Sequence, residues 1–175
     1  MGFIKLERLR PKSTMIDHAK SWCSELIGWK NTTDIKKIDI INLTQLIGEK
    51  LAINVKKSGA HFLRGGAFKP LTFPYRSEKY NETREQGIEW LVSAKEKAGI
   101  PIITEVMEER FVPLIADASD ILQIGTRNMQ NYPLLTACAK TGKPIMLKRG
   151  YGASLRDWLG AAEYILVEGN EKVII

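Results

Sequence analysis

The sequence predicts an α/β fold in which the strands of a parallel sheet alternate with helices. From Gly59 onward, short apolar runs rich in β-branched residues alternate with stretches of helical periodicity. The runs are almost continuously apolar, which is typical of strands covered on both faces. Helix-ending sequences such as Thr141-Gly-Lys-Pro144 stand directly before the next run. These observations together favour a βα repeat.

The predicted elements follow one another in a regular order. Residues 40–57 are predicted to form a helix before the first strand. Ser154 is a predicted N-cap because Asp157 supplies an acidic first turn. The predicted strands are 61–66, 101–106, 120–125, 144–149 and 171–175. The predicted helices between them are 83–98, 108–116, 131–140 and 154–168. Residues 70–82 are predicted to form a long polar loop of the kind that often carries function.

The N-terminal part of the chain has a weaker pattern. Trp22, Leu26 and Trp29 have approximate helical spacing and predict a short amphipathic helix. We therefore divide the chain into an N-terminal segment of uncertain structure, 1–39, and a βα domain, 40–175.

Composition excludes several classes of protein. A chain of 175 residues with 44% apolar and 26% charged residues fits one globular domain. No apolar run could span a membrane and no signal peptide is evident, so we expect a cytoplasmic protein without a membrane partner. The net charge of +6 permits nucleic-acid binding, but the basic residues are dispersed, which disfavours it. Cys23 and Cys138 have neither metal-site nor disulfide-framework spacing.

Cationic residues recur where the predicted strands end. The positions are Arg64, Lys69, Arg127, Lys148 and Arg149. Ligands of α/β proteins bind beyond the carboxyl ends of parallel strands. Any one of these cations could be a salt-bridge partner, but their recurrence at three strand ends predicts a small, multiply anionic ligand, such as a phosphate ester or a phosphate-carboxylate.

Glu105 lies inside an otherwise apolar predicted strand, where a carboxylate must be paired or neutralised. Either it forms a structural ion pair with Arg127 or Lys148, or it orients those cations for a ligand; both can hold.

Four segments of the chain form recognisable motifs: Arg64-Gly-Gly-Ala-Phe-Lys-Pro-Leu-Thr-Phe-Pro-Tyr75, Thr104-Glu-Val106, Asp120-Ile-Leu-Gln-Ile-Gly-Thr-Arg-Asn-Met-Gln-Asn131 and Gly142-Lys-Pro-Ile-Met-Leu-Lys-Arg-Gly150. Together they resemble the 3-deoxy-D-arabino-heptulosonate 7-phosphate (DAHP) synthase family, in the subgroup related to 3-deoxy-octulosonate 8-phosphate synthases. The resemblance implies a TIM barrel that condenses phosphoenolpyruvate with erythrose 4-phosphate, the first step of the shikimate pathway and aromatic amino acid biosynthesis. It also implies a divalent metal, Mn or similar.

The resemblance implies roles for individual residues. Lys69 is implied as the catalytic residue, close to the reacting carbons of phosphoenolpyruvate. The implied substrate-binding residues are Arg64, Thr72, Glu105, Gly125, Arg127 and Lys148. Arg127 and Lys148 match groups that bind the phosphate and the carboxylate, and Thr72 matches part of the aldose-phosphate motif.

Several positions depart from the family pattern. Leu71 replaces an arginine that holds the aldose phosphate, and leucine cannot make a charge-assisted bond. The metal-binding cysteine is expected near Ile40, and Cys23 lies too far upstream to serve. The later motifs with the metal-binding His, Glu and Asp are absent, so no metal ligand is predicted in this chain.

The chain ends within the expected sixth strand, which predicts an incomplete barrel of about strands two to six. We expect a truncated aldol-type transferase of this family. The alternative is a catalytically inactive relic that binds phosphoenolpyruvate or associates with a full-length synthase. An open sheet edge further predicts a homo-oligomer, pairing with a full-length homologue, or aggregation, unless residues 1–39 cap the edge.

Overall fold

The computed structural model describes residues 40–68 and 83–175. The predicted helix around Trp22 and the predicted loop 70–82 lie outside these residues. From Thr44 to Ile175 the chain forms one compact unit. No helix in the described part of the chain is long and apolar enough to cross a membrane.

Helices and strands alternate along the described residues, as the apolar pattern predicts. The helices are α1 (Ile40–Lys57), α2 (Arg84–Ala98), α3 (Val112–Ala118), α4 (Tyr132–Ala139) and α5 (Leu155–Leu166). The strands are β1 (Leu63–Arg64), β2 (Ile102–Val106), β3 (Ile121–Ile124), β4 (Ile145–Leu147) and β5 (Val173–Ile174). Short 3₁₀ turns occupy Glu109–Phe111 and Thr126–Asn128.

Two of the predicted elements differ from the structure for identifiable reasons. The helix predicted over 108–116 begins as a 3₁₀ turn and becomes α-helical only at Val112. Pro113 causes this, because its ring would clash with the carbonyl of Glu109 in a continuous α-helix and is tolerated only in the first turn. The strand predicted over 61–66 is reduced to Leu63–Arg64, the residues that are in register with β2.

The described strands form one parallel sheet in the order β1-β2-β3-β4-β5, so each crossover advances by one strand. Glu105 of β2 is in register with Gln123 of β3, which is in register with Met146 of β4. Within the described residues β1 and β5 do not pair, and the sheet is therefore not closed.

The main core lies between the sheet and the helices α3 to α5. Leu122, Ile124 and Ile145 of the sheet are completely or almost completely buried, as are Leu134 of α4 and Ile165 of α5. Each such side chain contributes about 1.5–3 kcal/mol by its removal from water. This face of the sheet is therefore packed against the helices, and the opposite face carries Glu105 and Gln123 together with the buried Ile103 and Ile121.

The first turn of α5 is capped as the sequence predicts. The Ser154 hydroxyl accepts from the amide of Asp157 at 3.1 Å, and the Asp157 carboxylate accepts from the amide of Ser154 at 3.0 Å. Trp158 of the same turn donates its indole N–H to the carbonyl of Leu147 at 3.0 Å. These bonds hold the start of α5 against the end of β4.

Asp120 holds together the opposite, amino-terminal end of the sheet. Its carboxylate accepts from the amide of Ile102 at 2.8 Å and from Lys95 Nζ at 2.9 Å. Burial raises the pKa of Asp120, but the bonds from the Ile102 amide and Lys95 outweigh it, so the pKa lies below its ordinary value. These contacts fix the start of β2 beside β3.

Candidate functional site

Polar residues gather at the carboxyl ends of β1 to β4. Arg64 is the last residue of β1 and Glu105 is the penultimate residue of β2. Gly125 follows β3 directly, and Lys148 follows β4 directly. Because all the strands are parallel, these ends lie along a single edge of the sheet.

The register also places these residues on a single face of the sheet. Side chains alternate between faces along a strand, and Arg64 is in register with Ile103, two residues before Glu105. A Cβ at Gly65 would meet Leu91 of α2, so position 65 faces the helices and Arg64 faces away from them. The candidate site therefore lies on the face opposite the main core.

Glu105 packs directly against Gly125. A Cβ added at Gly125 would collide with the carboxylate of Glu105, so only glycine leaves room for this side chain. Gly125 is itself buried. The missing side chain at the end of β3 thus accommodates the half-buried carboxylate of the neighbouring strand β2.

Gln123 is a further polar residue of this face. Its Nε2 donates to Oε2 of Glu105 at 3.1 Å, and the residue is only 6% exposed. Its Oε1 is buried and has no hydrogen-bond partner among the described residues. Sequence reasoning missed Gln123, although the signal was the one that identified Glu105: a polar residue inside an apolar strand.

The cations occupy the exposed rim of the site. Arg64, Arg127 and Lys148 are all exposed. The amide of Lys148 donates to the carbonyl of Ile124 at 3.0 Å, which extends the β3–β4 ladder by one residue and places Lys148 opposite Gly125. The ammonium group of Lys148 makes no ion pair in the described part of the chain, so the alternative of a structural pair between Glu105 and Lys148 is not realised there.

Methionine sulfur atoms connect the loops that follow β2, β3 and β4. Gly150 donates its amide to Met129 Sδ at 3.0 Å, and Asn128 donates Nδ2 to Met107 Sδ at 3.8 Å. Met129 is only 2% exposed. These contacts hold the loop of Arg127 beside the loop of Lys148.

Two predicted site residues, Lys69 and Thr72, lie outside the described residues, and their roles remain predictions. Cys138 is fully buried, which raises the pKa of its thiol to about 12 and makes it unsuitable as a thiolate nucleophile. The residues described contain no group of three or more His, Cys, Asp or Glu that could hold a metal ion. They therefore do not fit the divalent metal implied by the resemblance, and no chemical step is assigned to one.

The arrangement of charge suits an anion with two or more acidic groups. The cations project from separate strand ends, where they can contact different groups of one ligand. The carboxylate of Glu105 lies deeper and is held by an amide, where it can orient a cation or accept a hydrogen bond. The site thus combines a cationic rim with an acceptor pair, the half-buried Glu105 and the buried Gln123.

The described residues of the candidate site fall within one segment that matches a protein-family model. Residues 45–175 match the model of the DAHP synthetase I family. A phospho-2-dehydro-3-deoxyheptonate aldolase of Thermotoga maritima is 42% identical over 117 residues, which cover 67% of this chain and 34% of that protein. A 2-dehydro-3-deoxyphosphooctonate aldolase of Nitratidesulfovibrio vulgaris is 32% identical over 91 residues, which cover 51% of this chain and 33% of that protein.

Solved structures give the same result. A crystal structure of phospho-2-dehydro-3-deoxyheptonate aldolase (DAHP synthase) from Thermotoga maritima aligns with a TM-score of 0.65 and 37% identity, over 72% of this chain and 35% of that one. A truncated form of 3-deoxy-D-arabino-heptulosonate 7-phosphate synthase from the same organism aligns with a TM-score of 0.65 and 36% identity, over 74% of this chain and 45% of that one. The chain thus spans about a third of the length of its curated relatives.

Proposed function

Since this chain belongs to the DAHP synthetase I family, we propose that the cations at its strand ends bind phosphoenolpyruvate. We propose further that the chain derives from an aldol-type transferase that condenses phosphoenolpyruvate with erythrose 4-phosphate to form DAHP, and that it retains the phosphoenolpyruvate site of that enzyme. The observation that carries the first proposal is the placement of Arg64, Arg127 and Lys148 along one edge of the sheet, around a carboxylate that Gly125 accommodates.

Each residue has a task in this proposal. Arg127 and Lys148 bind the phosphate and the carboxylate of phosphoenolpyruvate through charge-assisted hydrogen bonds. Arg64 adds a third positive charge from β1. Glu105, held by Gln123, orients the cations, and Lys69 has the role that the family resemblance implies, next to the reacting carbons of phosphoenolpyruvate. A ligand with two acidic groups neutralises this rim better than a simple phosphate does.

A second candidate function is binding without turnover. Leu71 stands where the resembled family has an arginine that holds the aldose phosphate. A site with that change retains the cations for phosphoenolpyruvate but loses a charge-assisted contact to the second substrate. The chain would then be a relic that binds phosphoenolpyruvate or associates with a full-length synthase.

Thermal unfolding of the purified 175-residue chain tests the binding proposal. Phosphoenolpyruvate should raise the melting temperature, because a ligand that binds only the folded state stabilises it. Lys148→Ala should remove most of that rise. Lys172→Ala is the matched control, because Lys172 is an exposed lysine at the amino-terminal end of β5. An equal rise in wild type and Lys148→Ala would contradict the proposed site.

Turnover assays distinguish the two candidate functions. The chain is incubated with phosphoenolpyruvate and erythrose 4-phosphate, with and without Mn²⁺, and DAHP is measured. We expect binding of phosphoenolpyruvate with negligible synthesis of DAHP by this chain alone. Robust metal-dependent synthesis of DAHP would contradict the second candidate function, binding without turnover. It would show that the 175-residue chain carries out the complete reaction.

A further inference from the structure

Gln123 holds a buried hydrogen-bond acceptor without a partner in the described residues, although its neighbours are well packed. Glu105 accepts from Nε2, and an ionised carboxylate can only accept, so the amide group must turn its N–H₂ toward Glu105. Oε1 then points away from Glu105. A buried carbonyl without a partner lowers stability, and most such groups in folded proteins are paired. Oε1 is therefore expected to receive a donor in another state of the site.

The register restricts which side chain can supply that donor. Gln123 lies between Glu105 and Met146 across the sheet, and neither of these has an N–H or O–H group to offer when Glu105 is ionised. Gly125, two residues along the strand, has no side chain. Lys148 lies opposite Gly125 on the same face, diagonal to Gln123 on the neighbouring strand.

Lys148 complements Gln123 in chemistry and in reach. Its ammonium group has three N–H donors, is exposed, and makes no ion pair within the described residues. Diagonal neighbours on adjacent strands lie within reach of long side chains. The space that Gly125 leaves beside the two residues holds the carboxylate of Glu105, which is a further acceptor next to Gln123.

We propose that Gln123 is a positioning residue of the anion site, whose Oε1 accepts a hydrogen bond from the Lys148 ammonium group when the anion is bound. An ammonium group that turns inward loses water and needs acceptors in exchange. The bound anion supplies one acceptor and Gln123 Oε1 supplies another. This inference rests on the proposed function, because the anion that draws Lys148 inward is taken to be phosphoenolpyruvate.

A double-mutant cycle on the complete 175-residue chain tests the pairing. The dissociation constant of phosphoenolpyruvate is measured by titration calorimetry for wild type, Gln123→Met, Lys148→Met and the double variant. Losing a hydrogen bond to a charged group should weaken binding at least about tenfold for Lys148→Met, and about fivefold for Gln123→Met. If the two residues act through one contact, the double variant should bind no more weakly than Lys148→Met.

Thr104→Val is the matched control. Like Gln123, Thr104 has a buried side-chain oxygen without a hydrogen-bond partner among the described residues. Thr104 lies on β2, next to β3, but it is in register with Leu122, so its side chain faces the helices and not the candidate site. This change should leave the dissociation constant unaltered and should add independently to Lys148→Met. A purely structural role of Gln123 would alter the melting temperature of the unliganded chain without coupling to Lys148.

A measurement on chains that retain Gln123 covers the case in which Gln123→Met does not fold. The side-chain carbonyl ¹³C resonance of Gln123 is observed in chains labelled at glutamine. It should shift when phosphoenolpyruvate is added to wild type, and the shift should be absent in Lys148→Met. The same shift in both chains would overturn the inference.

The outcomes separate the inference from the proposed function. No binding of phosphoenolpyruvate to wild type would overturn the proposed function, and the inference with it. Lys148→Met could weaken binding while its effect on the dissociation constant simply multiplies with that of Gln123→Met. That result would overturn only the role of Gln123. Non-additive effects and a Lys148-dependent shift would establish the pair.

Discussion

At the scale of single residues, the contact between Gly125 and Glu105 is the tightest constraint on the candidate site. Gly125→Ala would place a methyl group where the Glu105 carboxylate lies, so the carboxylate must move away from Gln123. We expect a loss of about 1–3 kcal/mol in the free energy of unfolding and weaker binding of phosphoenolpyruvate. Urea denaturation and calorimetry measure the two effects.

Gly160→Ala is the control, because a Cβ there meets open space within α5 and should stabilise the chain by about 0.5–1 kcal/mol. Unchanged binding by Gly125→Ala would show that the position of Glu105 does not matter.

At the scale of elements, the attachment of α1 to α2 depends on one buried carboxylate. Glu49 is 3% exposed and accepts from Lys97 and from Ser93, each at 2.6 Å. The bond from Lys97, followed by that from Ser93, lowers the pKa of Glu49 below its ordinary value of 4.5. A lowered pKa stabilises the fold above about pH 4.5, and this contribution is lost as the pH falls through the folded-state value. Glu49→Gln should therefore cost about 1–3 kcal/mol at pH 7 and less at pH 3, which lies below the ordinary pKa of 4.5, as measured by urea denaturation at each pH.

Glu108→Gln is the control for Glu49→Gln. Glu108 pairs with Arg110 at 2.7 Å, but both side chains are more than half exposed, and exposed pairs contribute about 0–1 kcal/mol. Its effect should be small at both pH values. A cost of Glu49→Gln that does not change with pH would contradict the assignment of an ionised, buried carboxylate.

At the scale of the whole molecule, β5 presents apolar residues beside an unpaired strand edge. Among the described strands β5 pairs with β4 alone, and Ile174 and Ile175 are 41% and 57% exposed. Such edges form sheets with other chains, so we expect association of the 175-residue chain that increases with concentration in sedimentation velocity.

Two variants test whether the edge causes this association. Ile174→Lys should reduce the association, because a charge on an edge strand opposes pairing. Val167→Lys, a change at an exposed apolar residue outside the strand, should not. A monomer over a wide concentration range would contradict this expectation, and deletion of residues 1–39 would then test whether they cap the edge.

The parallel βα order and the strand ends that carry the cations can both be predicted from the amino-acid pattern. These features are local: the period of apolar residues distinguishes strands from helices, and parallel connection brings all carboxyl ends to one edge. The family assignment also follows from contiguous motifs. The contacts between residues on different strands, in contrast, become visible only in the folded chain. The pairing of Glu105 with Gln123, and the space that Gly125 leaves for the carboxylate, depend on the register between strands separated by whole helices. The sequence shows Gln123 as a polar residue inside an apolar strand, but it does not reveal the partner of Gln123, because register is a non-local property.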